Sequence, residues 1–198
     1  MNVIRREETP NPAAVKFIID GPVIASGTMS FSTGEDEEEE YRGDNPTAIA
    51  LFKVGASEVF FYKDSVSVTM FSVKAWEFFM EDVIEALETT LVPPGTELPK
   101  EEKKKSFLDD FDKEGFPELP EKEKLSVIES LMDEIIRPAL ANDGGGLEVT
   151  KFEFNEVQIK YQGACGTCPS STGATHSAIQ RALKNYLDPQ LSVVIKRA

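Results

Sequence analysis

Leu147-Glu148-Val149-Thr150-Lys151-Phe152-Glu153-Phe154 places apolar side chains among polar ones, and the alternation resumes after Asn155-Glu156 in Val157-Gln158-Ile159-Lys160-Tyr161. A period of two marks a strand with one buried face. Two such runs joined by two turn-forming residues read as a tight antiparallel hairpin. Before it, Leu125, Ile128, Met132, Ile135 and Ala139 make the apolar face of a helix that Asn142-Asp143-Gly144-Gly145-Gly146 stops. Pro138 lies inside that pattern, so a kink or a broken final turn is expected there. After the hairpin a second helix is expected from about 170 to 187, burying Ala178, Ile179, Ala182, Leu183 and Tyr186, and residues 191–195 read as a short closing strand. Two consecutive strands followed by a helix give an α+β body, not a βαβ unit.

Upstream, Val15, Phe17 and Ile19 alternate as a strand that Asp20-Gly21-Pro22 ends. Asp44-Asn45-Pro46 starts a helix running through Ile49 and Phe52 to Gly55. Residues 59–62 and 66–70 flank Lys63-Asp64-Ser65 as a second hairpin. Trp76, Phe79, Met80, Val83, Ile84 and Leu87 then form one apolar helical stripe, read as core packing and ended by Leu91-Val92-Pro93-Pro94-Gly95. The stretch 93–120 carries five prolines and the mixed run Lys100-Glu101-Glu102-Lys103-Lys104-Lys105. Proline stiffens the chain and charge resists burial, so this stretch reads as a linker between independently packed bodies. The expected division is a domain over 1–95, a linker over 96–120 and a second domain over 121–198. Each domain is read as a mainly antiparallel sheet packed with helices.

The 198 residues carry 21 Lys and Arg against 35 Asp and Glu, a formal charge of −14. Residues 1–95 hold 7 basic and 17 acidic side chains, residues 96–120 hold 5 and 8, and residues 121–198 hold 9 and 10. The acidity is concentrated in the first half. A surface of that sign repels phosphate, so a nucleic-acid partner is not expected. Glu35-Asp36-Glu37-Glu38-Glu39-Glu40 is either a solvated loop or an electrostatic docking site for a basic partner. No run approaches the roughly 18–20 apolar residues of a membrane span. The first residues carry neither the apolar segment of a signal peptide nor the acid-poor composition of a transit peptide, so a reducing cytoplasm is the expected compartment.

The two cysteines, Cys165 and Cys168, lie in Gly163-Ala164-Cys165-Gly166-Thr167-Cys168-Pro169-Ser170-Ser171, between the hairpin and the second helix. Two-residue spacing lets both sulfurs meet one centre. Gly163 and Gly166 permit the turns, and Pro169 suits the first helical position. Cys168 is then expected near a helix N-terminus, where a thiolate or an anionic metal–sulfur centre is stabilised. Three chemistries fit a lone Cys-x-x-Cys. Thiol–disulfide exchange is one, although the βαβ surroundings of a thioredoxin-like motif are missing. A structural zinc site is another, but it needs about four ligands, and the single histidine, His176, lies eight residues past Cys168, about 12 Å along a helix. The third is an iron–sulfur cluster, usually held by four cysteines, which two chains related by a twofold axis could supply.

Ile136-Arg137-Pro138-Ala139-Leu140, Asp143-Gly144-Gly145 and the nine residues of the cysteine motif resemble the C-terminal domain of NifU, the Nfu family. Glu8-Thr9-Pro10-Asn11-Pro12, Val15-Lys16-Phe17, Val59-Phe60-Phe61 and Val66-Ser67-Val68-Thr69 are similar to the Nfu N-terminal domain. The resemblance implies a non-enzymatic homodimer that holds one [4Fe-4S] cluster through Cys165 and Cys168 of both subunits. It further implies delivery of the cluster to apo-proteins after loading from an upstream assembly scaffold. Recognition of client proteins or upstream scaffolds falls to the N-terminal domain, and the amides of Ser170 and Ser171 are expected to hydrogen-bond to the cluster sulfurs. Gly146 departs from the family, which commonly has an acid there, and the run 35–40 looks like an insertion. The rivals are a thiol–disulfide oxidoreductase and a zinc-bridged dimer.

Overall fold

The computed structural model describes residues 1–33, 43–94, 111–166 and 171–196. The acidic run 35–40, most of the expected linker and Thr167 to Ser170 lie outside the described residues. The fold is α+β, built on two sheets with a separate apolar core for each.

In the first sheet the strands β1 (Val3–Glu8), β2 (Ala14–Ile19), β3 (Thr28–Ser32), β4 (Ala56–Tyr62) and β5 (Ser65–Met70) lie in the order β1-β2-β5-β4-β3, all antiparallel. Helices α1 (Pro46–Lys53) and α2 (Trp76–Thr90) belong to the same body. Asn45 caps α1 by accepting the Ala48 amide at 2.9 Å, and Pro46 opens the helix where its missing N–H is not needed. Phe17, Leu51, Val59, Val66, Val68, Val83 and Leu87 form the fully buried centre of this core. Each such side chain contributes about 1.5–3 kcal/mol by leaving water.

The apolar stripe of α2 is narrower than its spacing suggests. Val83 and Leu87 are buried, and Trp76, Met80 and Ile84 pack partly buried against the core, but Phe79 is 40% exposed. The edge strands β1 and β3 are not among the elements expected above: Ile4-Arg5-Arg6-Glu7-Glu8 has no apolar alternation, and Thr28-Met29-Ser30-Phe31-Ser32 alternates over only two apolar residues.

The second body contains α3 (Glu121–Leu131), a π-helical turn (Met132–Ile136), α4 (Arg137–Asn142), the hairpin β6 (Gly145–Glu153) and β7 (Glu156–Gly163), α5 (Ser171–Tyr186) and β8 (Ser192–Ile195). Its sheet has the order β6-β7-β8, with β7 and β8 parallel. Ile128, Leu131, Met132, Val157, Ile159, Ile179 and Leu183 are fully buried at its centre. Phe116, placed by sequence in the linker, is also fully buried in this core, with Phe111 and Leu119 packed against it. The packed body therefore begins before residue 121.

Two local departures share a cause, a single extra residue. The π turn before Pro138 advances the helix by one position, so Ile136 and Leu140 are buried where sequence spacing suggested Ile135 and Ala139. In β6 the pairing shifts between Val149 and Lys151. This bulge lets Leu147 and Phe152 share the core face despite their odd separation. It also moves the hairpin turn to Phe154-Asn155, whose φ values are 50° and 60°, and leaves Phe154 93% exposed.

Candidate functional site

The cysteine loop leaves the end of β7. Gly163 turns it with φ +63°, a conformation that favours glycine, and the Gly166 amide donates to the Gly163 carbonyl at 2.9 Å. Cys165 sits in that turn, 6% exposed and part of the second core. Its sulfur occupies space that the neighbouring strand keeps open, since a Cβ on Gly145 would lie 2.5 Å from Cys165 Sγ. Beside it, Tyr161 is pushed up to about 12, first by burial and then by the nearby charge of Cys165. The Tyr161 hydroxyl is buried and has no hydrogen-bond partner among the described residues.

Cys168 lies outside the described residues, as do Thr167, Pro169 and Ser170. Helix α5 begins at Ser171, immediately after that segment. Its His176 does not face the loop: Nε2 lies 3.0 Å from the Val193 carbonyl and ties α5 to β8. Among the described residues no three His, Cys, Asp or Glu side chains gather in one place. A four-ligand centre built on Cys165 must therefore draw on residues outside that set or on another chain.

The first sheet reaches the same loop. Asn11 Nδ2 donates to the Ala164 carbonyl at 3.0 Å, one residue before Cys165. The Gly163 amide donates to Glu58 Oε1 at 2.5 Å, and Ser30 Oγ donates to the same oxygen at 3.3 Å. The carboxylate also borders the residue after Cys165, since a Cβ on Gly166 would lie 2.9 Å from Glu58 Oε2. Burial pushes the Glu58 carboxyl up to about 7, against the opposing pull of the Gly163 amide, the Ser30 hydroxyl and Lys160. Lys16 Nζ donates to the Asn142 carbonyl at 3.3 Å, at the helix end that precedes the glycines. The bodies that sequence separates thus touch at the cysteine loop.

Glu58, Asn11 and Tyr161 escaped the sequence reading. Tyr161 reads as an ordinary core position of its strand, and the other two lie 105 and 153 residues from their partners. Only the alternation in β4, which turns Glu58 away from the helices together with Phe60, carries a trace of the arrangement.

Residues 4–93 match the N-terminal family of scaffold protein Nfu/NifU, and residues 128–194 match the NifU-like domain. A human protein named NFU1 iron-sulfur cluster scaffold homolog, mitochondrial, is 32% identical over 189 residues, covering 93% of this chain and 68% of the human one. The chain belongs to the Nfu/NifU family. Further Nfu/NifU relatives include a NifU-like protein of Schizosaccharomyces pombe, 30% identical over 98% of this chain and 72% of its own length. NifU-like protein 5, mitochondrial, of Arabidopsis thaliana is 28% identical over 93% of this chain and 64% of its own length.

These names overturn the expectation of a cytoplasmic protein. The human and Arabidopsis relatives are both named mitochondrial. The expectation rested on the lack of a disulfide framework and on the composition of the first residues. A chain without a disulfide framework suits any reducing environment, which more than one compartment provides. Among the described residues no helix is long and apolar enough to cross a membrane.

Proposed function

We propose that this chain takes part in iron–sulfur cluster assembly as a carrier, not as an enzyme, and works where its human and Arabidopsis relatives are named to work, in mitochondria. Two copies hold one [4Fe-4S] cluster as cargo, each giving Cys165 and Cys168, and pass it to apo-proteins. The observation that carries this reading is the match of residues 128–194, which include both cysteines, to the NifU-like domain. Membership of a family with relatives named scaffolds supports it. Cysteine binds iron as thiolate, so loading releases protons to solvent. In transfer, thiolates of the acceptor replace Cys165 and Cys168 at iron one ligand at a time, and the displaced thiolates regain protons. No net oxidation is required. The N-terminal domain provides contact with clients.

Anaerobic reconstitution with ferrous iron and sulfide tests this. The expected product is a dimer with about four iron and four sulfide, and its charge-transfer absorbance should vanish in Cys165→Ala and in Cys168→Ala. Unchanged iron binding in either variant, or a metal-free monomer that reduces disulfides catalytically, would overturn the carrier reading.

A further inference from the structure

The strand β5 is buried along its whole length, on both faces. Val66, Val68 and Met70 enter the core of the first body, which leaves Ser65, Ser67 and Thr69 on the opposite side. Such an outward polar row normally meets water. Here Ser67 is 2% exposed and Thr69 1%, and in the next strand Phe60 is 1% exposed although it belongs to neither apolar core.

The cover is the glycine-rich edge of the cysteine loop. A Cβ on Gly144 would lie 2.8 Å from Ser67 Oγ, one on Gly146 2.9 Å from the Phe60 ring, and one on Gly163 2.7 Å from Phe60 Cβ. Side chains there would collide with the first sheet. The absence of an acid at position 146 has the same explanation, because the Phe60 ring occupies the space. The polar contacts are complementary in sense: Asn11 and Lys16 donate to carbonyls of the second body, and Glu58 accepts an amide from it. Asn11 and Glu58 touch the residues on either side of Cys165.

We propose that the outer face of the first sheet is a docking surface for the cysteine loop of its own chain, and that it must leave before Cys165 can share a cluster with a second copy. The second half of this statement rests on the carrier reading; the first does not. Docked, the sheet holds Gly163 and Ala164 by hydrogen bonds and places Glu58 beside Gly166, so cysteines of another subunit cannot approach from that side. The Thr69 hydroxyl stays without a hydrogen-bond partner among the described residues, as suits a contact that opens. The N-terminal domain is then a cover for the empty thiol as well as a part of the carrier.

The test is metal-free. In the full-length Cys168→Ser chain, the rate at which iodoacetamide alkylates Cys165 is followed by peptide mass spectrometry, with and without Gly146→Leu. A leucine at that position pushes against Phe60 from the second body, while Phe60→Ala with Asn11→Ala loosens the contact from the first. Both changes are charge-neutral, so neither alters the charge that sets thiol ionisation. Either should raise the alkylation rate about tenfold, equivalent to ~1.4 kcal/mol of opening. Circular dichroism reports whether each fold survives, and the second variant decides if Gly146→Leu does not fold. Folded variants with rates within about twofold of the parent would refute the docking surface, a factor well below that tenfold. Faster alkylation here, combined with failure of the chain that keeps both cysteines to load iron and sulfide, would leave docking standing and remove the carrier reading. Loading without any change in alkylation would do the reverse.

Discussion

Glu58→Gln isolates the effect of a buried carboxylate between two bodies. The carboxyl titrates near 7 in the folded chain against an ordinary value of 4.5, because burial disfavours its charged form. Between pH 4.5 and 7 the folded state therefore binds a proton that the unfolded state has already lost. Stability must fall as pH rises through this window. At about 1.4 kcal/mol per pH unit, the loss reaches about 3 kcal/mol above pH 7. Glutamine is nearly the same size, keeps an oxygen to accept the Gly163 amide, and does not titrate. The variant should match the parent near pH 4.5, gain on it through pH 6, and be about 3 kcal/mol more stable at pH 8. Urea denaturation followed by fluorescence suits the measurement, since the only tryptophan, Trp76, packs on Phe17 with ring centroids 6.0 Å apart in the same body. Every other titrating group cancels in the difference between the two chains. A difference that stays constant with pH, or a variant less stable than the parent at pH 8, would refute the reasoning.

Two further outcomes follow from the second body. Ile159→Ala removes a fully buried side chain from the centre of β7 and should cost about 2–5 kcal/mol in chemical denaturation; a loss below ~1 kcal/mol would mean that this core is loosely packed. Phe154→Asn should instead stabilise by about 0.5–1 kcal/mol, because Phe154 is 93% exposed and holds φ at 50°, where asparagine is at ease; a lower melting temperature would show that the ring has a packing role.

Local patterns made the central hairpins and the main helices readable. Asn45-Pro46 announced α1, and the alternation from Val157 to Tyr161 announced β7. The cysteine motif was recognisable because its chemistry is contained in nine consecutive residues. The contacts of Glu58 and Asn11 were hidden for the opposite reason. A polar residue on the outer face of an antiparallel strand looks the same whether it meets water or another domain. The glycines at 144, 146 and 163 were read as turn formers, and only their neighbours across the interface reveal a second role as gaps. The edge strand β1 shows no period of two, and β3 shows it over only two apolar residues, Met29 and Phe31.

The π turn at Met132–Ile136 sets the phase between α3 and α4. Ile128, Met132, Ile136 and Leu140 recur every four residues, a spacing that would wind steadily around a regular helix of 3.6 residues per turn. The wider turn absorbs that drift. It also brings Arg137 to Glu129 and Asp133 at 2.7 Å each, while Nε donates to the Leu147 carbonyl at 3.2 Å. Deleting one residue from the turn would rotate everything after it by about 100°. Leu140 would then swing off the core, and Arg137 would lose its hold on β6, the strand that makes room for Cys165. The placement of β6 beside the cysteine loop is thus held by a one-residue irregularity, which makes this segment intolerant of deletions that a surface loop would absorb.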